Sequence, residues 1–263
     1  MQADAPRRLA IGIDIGGTHL RAGRIGPGGE VLARARLPCA REAEAVLADC
    51  LSLIAELRTP EVVGVGLGVP GRVDAGRRLV LSGGYVDLSR LPFAQRVEEA
   101  TGLRVAVEND AAMALLAEQA FGAARGAASV VMLTVGTGIG GAILERGALL
   151  RGRRAAGQLG HVVVEPEGLA CLCGRQGCLE TTSSGTALGR HLLRAGWPDG
   201  TRVEEVPVTQ EIQLIEEFAR VEKRPASRPT SGHSASRLPK NRGTNGEPAS
   251  LSTRCTVTSG FSP

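Results

Sequence analysis

Aromatic side chains are scarce in this sequence, at 2% of its residues. Proteins that hold single-stranded nucleic acid stack its bases on such side chains, so the scarcity argues against nucleic acid as a partner. Long apolar runs are missing as well, and we therefore expect no membrane-spanning segment.

Lysine and asparagine are nearly absent from most of the chain. Both lysines, Lys223 and Lys240, lie near the C-terminus, and Asn109 is the only asparagine before Asn241. From Lys223 onward the chain has seven basic residues and one acidic residue, whereas the preceding part has 24 arginines and 26 acidic residues. The net charge of +4 therefore reflects the tail and does not indicate a basic binding surface.

The tail, residues 223–263, is rich in Ser, Thr, Pro and Arg and has no apolar period. Such a composition cannot bury enough apolar surface to offset the entropy of ordering, so we expect a disordered C-terminal tail. Just before it, residues 211–221 carry apolar side chains at helical spacing and predict a last helix.

We also expect no secretory leader, because a predicted apolar strand follows almost directly on Met1. We therefore expect a cytoplasmic protein with reduced cysteines. Three cysteines, Cys171, Cys173 and Cys178, lie within eight residues, and His161 precedes them. Three thiolates and one imidazole form a closed tetrahedral shell for a structural Zn²⁺. A disulfide with one spare thiol is the alternative interpretation.

The apolar pattern predicts two α/β units that each open with a strand, a glycine turn and another strand. Because of this repetition, we expect a duplicated unit that faces itself across a cleft. We place a first lobe at 1–122 and a partial second lobe at 123–222. The predicted strands cover residues 9–14, 19–25, 30–37, 62–67, 103–107, 130–135 and 142–145, and the predicted helices cover 41–57, 92–101 and 110–121.

The two glycine turns are candidate phosphate-binding loops. Without β-carbons their backbone N–H groups can approach a phosphate closely, and the threonines add hydroxyl donors. Asp14, at a strand end, would hold Mg²⁺ directly or through water. Ordinary hairpin turns are the alternative. Neither turn continues as a Walker loop, and each leads into a strand, unlike a dinucleotide-binding fingerprint. The candidate residues are Asp14, Gly16, Gly17, Thr18, Thr134, Gly136, Thr137 and Gly138.

Glu108-Asn109-Asp110 stands where a predicted strand ends and a helix begins. Asn or Asp there commonly caps the helix N-terminus, and capping alone would explain the pattern. Beside two phosphate loops, the segment also suits phosphoryl transfer from ATP to an alcohol, which needs a carboxylate to accept the hydroxyl proton. Asp110 is the candidate general base. His161 could give one ring nitrogen to zinc and the other to a substrate.

Together these motifs resemble the ROK family (repressor, open reading frame, kinase), which includes bacterial glucokinases, fructokinases, N-acetylhexosamine kinases and sugar-responsive repressors. They occur in the order typical of that family. The matching segments are Asp14-x-Gly-Gly-Thr18, Glu108-Asn-Asp110-Ala, Thr137-Gly-Ile-Gly-Gly141, Gly160-His161 and Cys171-x-Cys-Gly-x-x-Gly-Cys178-x-Glu180.

The resemblance implies an α/β actin-like ATPase fold of two RNase H-like lobes, with the second lobe incomplete here. It implies ATP-dependent phosphorylation of a hexose of the glucose or N-acetylhexosamine class, with Asp110 as base and the two glycine loops around the ATP phosphates. It implies zinc on His161, Cys171, Cys173 and Cys178. The sugar-binding residues that it implies are Asn109, Gln158, His161 and Glu180.

The chain departs from the family pattern at three points. Gln158 stands where the family usually has Glu, which keeps an acceptor oxygen but removes the charge. Tyr85 supplies the aromatic residue of the sugar-side loop. The adenosine-binding glycine turn and the final helix of the family are not found after the zinc loop. We therefore expect the family sequence to stop between Ala195 and Lys223.

Two other functions remain open beside a sugar kinase. A non-catalytic sugar- or zinc-binding remnant is favoured by the incomplete second lobe. A sugar-responsive repressor would need a helix-turn-helix ahead of the first strand, where only residues 1–8 are available. Members of the family often form dimers, which leaves a homodimer open.

Overall fold

The computed structural model describes residues 8–84 and 86–200 and the backbone of 254–259. Tyr85 and the predicted helix over 211–221 lie outside this part. The strands are β1 (Leu9–Ile15), β2 (His19–Ile25), β3 (Val31–Pro38), β4 (Val62–Val69), β5 (Arg72–Asp74), β6 (Leu79–Ser82), β7 (Arg104–Asn109), β8 (Val130–Val135), β9 (Ile139–Glu145), β10 (Ala148–Leu149) and β11 (Arg254–Ser259). The helices are α1 (Ala43–Leu57), α2 (Phe93–Thr101), α3 (Asp110–Phe121), α4 (Leu179–Ser183) and α5 (Gly185–Arg194).

The first sheet has the strand order β3-β2-β1-β4-β7. β2 pairs antiparallel with β1 and β3, whereas β1, β4 and β7 run parallel. Parallel strands end at the same edge of a sheet, and this edge is where such folds bind ligands. The register aligns Asp14 with Gly68 and Gly68 with Glu108, so the two predicted acidic segments meet there.

Buried and less buried residues alternate along β1, and the buried ones form the face of the first sheet that packs against α1. Leu9, Ile11, Ile13 and Ile15 are buried, while the residues between them are not. The buried stripe of α1, which includes Leu53 and Ile54, belongs to the same apolar cluster. Each such side chain contributes about 1.5–3 kcal/mol by leaving water. The sheet edge that carries the acidic residues therefore rests on a well-packed layer.

The second sheet has the order β10-β9-β8-β11, with β8 and β9 forming the hairpin around the second glycine loop. Helix α3 begins directly after β7 of the first sheet, and its Leu115 is buried with Val130, Met132 and Leu144 of the second. One helix thus connects the two sheets physically. Both sheets lie in a compact unit that includes all described residues before Thr186, together with β11.

The second unit begins at Thr186, and its described residues continue α5 and extend to residue 200. The backbone N–H of Trp197 bonds to the carbonyl of Leu192 and closes the end of α5. Across the described residues, none of the helices combines the length and the apolar character that a bilayer span requires.

Within the tail, for which disorder was predicted, the structure describes one segment, Arg254–Ser259. The structure describes these residues as β11, which pairs parallel with β8 from Arg254 opposite Val130 to Ser259 opposite Val135. Two β-branched threonines and a valine give this segment the composition of a strand, and β8 offers an edge for it to pair with. The rest of the tail lies outside the described residues.

Candidate active site and metal cluster

Asn109 forms the corner between β7 and α3. Its side-chain oxygen accepts a hydrogen bond from the N–H of Ala112 at 3.2 Å, which is the helix N-cap that the sequence allowed. Its Nδ2 donates to the carbonyl of Gly71 at 2.9 Å. These two bonds fix the amide plane and leave one further donor and one further acceptor position for a ligand.

Asp110, the first residue of α3, is the acidic group whose surroundings matter most. Burial raises the pKa of its carboxyl group, and the negative charge of Asp14 raises it further. The N–H of Ala111 donates to Oδ1 at 2.8 Å and opposes the shift. A carboxylate that is hard to keep charged accepts a proton more readily than an exposed one, which is the property of a general base.

Asp14 and the first glycine loop lie at the end of β1. Burial raises the pKa of Asp14, and Arg21, whose Nη1 lies 3.4 Å from Oδ2, opposes this. Both side chains of the pair are about half exposed or more, so the pair stabilises the protein little. The N–H of Gly16 donates to the carbonyl of His19 at 3.1 Å. The turn, completed by Gly17 and Thr18, is thus tight, and Asp14 just before it is near enough to Asp110 to act on its pKa.

The second glycine loop closes the β8–β9 hairpin after Thr134. The N–H of Gly136 donates to the carbonyl of Gly138 at 2.9 Å, across Thr137. A β-carbon on Gly140 would lie only 3.3 Å from Cβ of Ala111. The hairpin therefore packs against the first turn of α3, the helix that begins with Asp110.

A pocket of about 40 Å³ lies beside this corner. Its lining includes Gly71, Glu108, Asn109, Arg151 and Gln158. Its volume suits water rather than a sugar, so a larger ligand requires the walls to separate. Of the predicted sugar-binding residues, the structure brings Asn109 and Gln158 together here, and it does not place His161 or Glu180 in this lining.

His161, Cys171, Cys173 and Cys178 form a cluster whose candidate ligand atoms all lie within 4.8 Å of one another. The Sγ of Cys171 lies 3.5 Å from Nδ1 of His161, and the two other sulfurs lie 3.6 Å apart. Bond lengths of about 2.3 Å to a tetrahedral zinc ion require ligand separations of about 3.5–3.8 Å. The residues therefore fit zinc, and the thiols are not joined in a disulfide.

The backbone of the metal loop depends on glycine. Gly177 has φ of +68°, and a β-carbon there would overlap the carbonyl oxygen of Glu165. Gly174 also has a positive φ, of +86°, but it faces open space. The N–H groups of Val164 and Glu165 both donate to the carbonyl of Gly177. The loop thus wraps closely around the cluster.

Glu180 follows the metal loop in the first turn of α4. Its Oε2 accepts a hydrogen bond at 3.0 Å from the N–H of Ile139, the first residue of β9. This carboxylate ties the metal loop to the hairpin of the second glycine loop. Its predicted contact with a sugar stays a prediction.

A sequence model of the ROK family matches residues 10–223. The chain belongs to the ROK family. It is 40% identical over 197 residues to a glucokinase of Thermotoga maritima, covering 73% of this chain and 62% of the relative. It is 39% identical over 185 residues to a glucokinase of Streptomyces coelicolor, covering 70% of this chain and 58% of the relative.

Solved ROK structures share the fold. A ROK family glucokinase from Streptomyces griseus, in complex with glucose and AMPPNP, is 37% identical and has a TM-score of 0.67, covering 81% of this chain and 71% of that chain. The expected mixed α/β, actin-like ROK fold is thereby confirmed. The chain spans 58% and 62% of the length of the two curated glucokinases. The lobe boundary at 122 stays a prediction.

Sequence reasoning missed the charged residues around the pocket. Arg151 forms an ion pair with Glu108, and Nη2 of Arg154 lies 2.8 Å from Oδ2 of Asp74. These partners are distant in sequence and follow no spacing rule. The one sequence signal for a role of Glu108 is its position directly before Asn109 and Asp110.

Proposed function

We propose that this chain binds a hexose and Mg²⁺-ATP and transfers the γ-phosphoryl group of ATP to a hydroxyl group of the sugar. The observation that carries the proposal is Asp110, a carboxylate with a raised pKa at the start of α3, with the charge of Asp14 near it and the β8–β9 hairpin packed against Ala111. The glucose and AMPPNP complex of the Streptomyces griseus relative supports the same pair of ligands.

In the proposed reaction Asp110 accepts the proton of the attacking hydroxyl group. The sugar oxygen forms a bond to the γ-phosphorus as the bond from that phosphorus to the bridging β–γ oxygen breaks, and ADP leaves. The raised pKa of Asp110 brings its basicity closer to working pH, which favours proton transfer. Closure of the walls around the pocket would exclude water, which otherwise competes with the sugar.

Asn109, Gln158, His161 and Glu180 are the proposed sugar ligands. Asn109 has unused hydrogen-bonding positions that face a pocket it shares with Gln158. His161 presents Nδ1 to the thiols, which leaves Nε2 for a sugar hydroxyl. The sugar class proposed is glucose or an N-acetylhexosamine.

The proposed phosphate ligands are the backbone N–H groups and hydroxyls of the two glycine loops, with Asp14 holding Mg²⁺. A magnesium ion there would also offset the negative charge of Asp14, a half-buried carboxylate whose pKa is raised. Zinc, bound by His161, Cys171, Cys173 and Cys178, would have a structural role, because four protein ligands leave no open position for catalysis.

A non-catalytic protein that binds sugar and zinc is the alternative. One observation favours it: over a third of the length of the related glucokinases has no counterpart in their match to this chain. Such a protein would bind glucose but release no ADP.

A coupled assay of ADP release over a panel of hexoses tests the proposal, with zinc quantified in the same sample. Asp110→Asn should abolish release, while Asp199→Asn, the same change at an exposed site, should not. Glucose binding without ADP release would favour the alternative. A chain that neither binds glucose nor releases ADP would contradict the kinase function and the non-catalytic function alike.

A further inference from the structure

Two ion pairs hold one turn segment against the opposite wall of the pocket. The segment is residues 151–158, here called the strap, and it ends at Gln158. Arg151 pairs with Glu108, the penultimate residue of β7, and Arg154 pairs with Asp74, the last residue of β5. Both acidic side chains are nearly buried, whereas both arginines are half exposed.

Glu108 uses its two oxygens for two different parts of the site. Oε1 accepts a hydrogen bond at 3.0 Å from the N–H of Asn109, and Oε2 receives the guanidinium group of Arg151. One carboxylate therefore joins the corner that carries Asn109 and Asp110 to the strap that carries Gln158. A charge as buried as that of Glu108 requires such a partner.

The backbone of the strap shows that it is held from outside. Arg154 has φ of +63°, a left-handed conformation that residues with side chains rarely adopt, and it persists only where surrounding contacts impose it. The ion pair with Asp74 is such a contact. Within the strap the hydrogen bonds are long, at 3.4 Å from Ala156 to Arg151 and 3.3 Å from Gln158 to Ala155. Internal bonds of this length stabilise the turn only weakly.

We propose that Glu108 is a positioning residue for sugar binding: its ion pair with Arg151 sets the distance of Gln158 from Asn109 across the pocket. This inference rests on the proposed function, since both of these residues are proposed sugar ligands. Glu108 itself need not touch the sugar. Its loss should weaken sugar binding more than it slows the chemical step.

The experiment compares Glu108→Gln, Arg151→Gln, their double variant and Arg151→Lys. Glu108→Gln keeps an oxygen for Asn109 and removes only the charge facing Arg151. Arg151→Gln breaks the same ion pair at its half-exposed partner. It therefore still tests the proposal if Glu108→Gln, a change at a buried residue, impairs folding. Arg153→Gln is the matched control, because Arg153 lies in the strap, is exposed and forms no ion pair within the described residues.

Three kinds of measurement are made: calorimetry gives the Kd for D-glucose, ADP release gives KM and kcat, and hydrogen exchange without ligand follows the Ala156 and Gln158 amides. Each single variant should raise Kd and KM about fivefold to tenfold, with kcat within about twofold. The Kd of the double variant for glucose should be no higher than that of the single variant with the higher Kd. Both amides should exchange faster, Arg151→Lys should restore part of the loss, and Arg153→Gln should match the unmodified protein.

Additive losses in the double variant, or unchanged exchange in both single variants, would overturn the inference. So would a fall in kcat at constant KM. A chain that binds glucose but releases no ADP would contradict the kinase proposal alone, because the calorimetric and exchange comparisons would still test the positioning role of Glu108.

Discussion

Asp14 lies close enough to Asp110 for its negative charge to raise the pKa of the Asp110 carboxyl group. Asp14 is the penultimate residue of β1 and Asp110 begins α3, so the parallel register of the first sheet brings them together. Desolvation by burial is the largest cause of the raised pKa, and the charge of Asp14 adds to it.

The rate of phosphoryl transfer should fall on the acid side as Asp110 becomes protonated. Since its pKa is raised from 3.8, the acid limb of kcat/KM should lie above that value. Asp14→Asn removes a charge that raises the pKa, so the limb should move to lower pH even though the rate itself falls. A pH–rate profile of both proteins checks this, with Glu145→Gln, a change at an exposed site, as control. A limb that stays in place would contradict the coupling.

Asp110→Asn should abolish transfer without lowering stability. Loss of a general base costs roughly a hundredfold to ten-thousandfold in rate. The folded pKa of Asp110 is raised, so the native state binds more protons than the unfolded state and loses stability as pH rises through the shifted range. Removing the carboxylate should therefore raise Tm near neutral pH, and the gain should vanish below the unfolded pKa. A variant that is less stable at neutral pH would argue against a desolvated carboxylate.

Gly177→Ala should destabilise the metal loop more than Gly174→Ala does. Both positions have positive φ, which costs a side chain about 1–2 kcal/mol. Only at Gly177 would the added carbon overlap a backbone oxygen, that of Glu165, so the loop must also move. Urea unfolding of the two variants, with zinc content measured in each, separates the two costs. Equal losses would mean that the contact with Glu165 adds nothing.

Cys178→Ser should lose the metal, whereas Cys39→Ser should retain it. Cys178 is buried in the cluster, and a hydroxyl group is a poor zinc ligand beside two thiolates. Cys39 lies outside the cluster, with its thiol on the carbonyl of Ala40. Elemental analysis should find about one zinc per chain in the control and close to none in the variant. Retention of zinc in Cys178→Ser would contradict the ligand assignment.

Local patterns predicted the parts of the fold and site that depend on neighbouring residues. The apolar alternation of β1 and the helical period of α1 follow from burial of one face, and both elements lie where predicted. The metal cluster follows from ligands that are close in sequence. The short hairpin β5–β6 and the ion pair between Arg151 and Glu108 were not predicted, because their existence depends on contacts between distant segments.

The difference between local patterns and contacts of distant segments also explains why the role of Asn109 was predicted and the hydrogen bond of Glu180 was not. Capping by Asn109 depends on the next three residues, and the pattern predicted it as an alternative to a functional role. The bond from Ile139 to Glu180 joins residues far apart in sequence, and no spacing rule indicates it.

The metal cluster also bears on how the chain folds. All four ligands come from the short segment between His161 and Cys178, so closing this loop costs little chain entropy compared with assembling either sheet. Zinc could therefore be captured while the sheets are still forming. Once formed, the loop presents Glu180 to the start of β9 and Leu179 to the carbonyl of Val162. Through these bonds the metal loop fixes the start of α4 and anchors it to the hairpin of the second glycine loop.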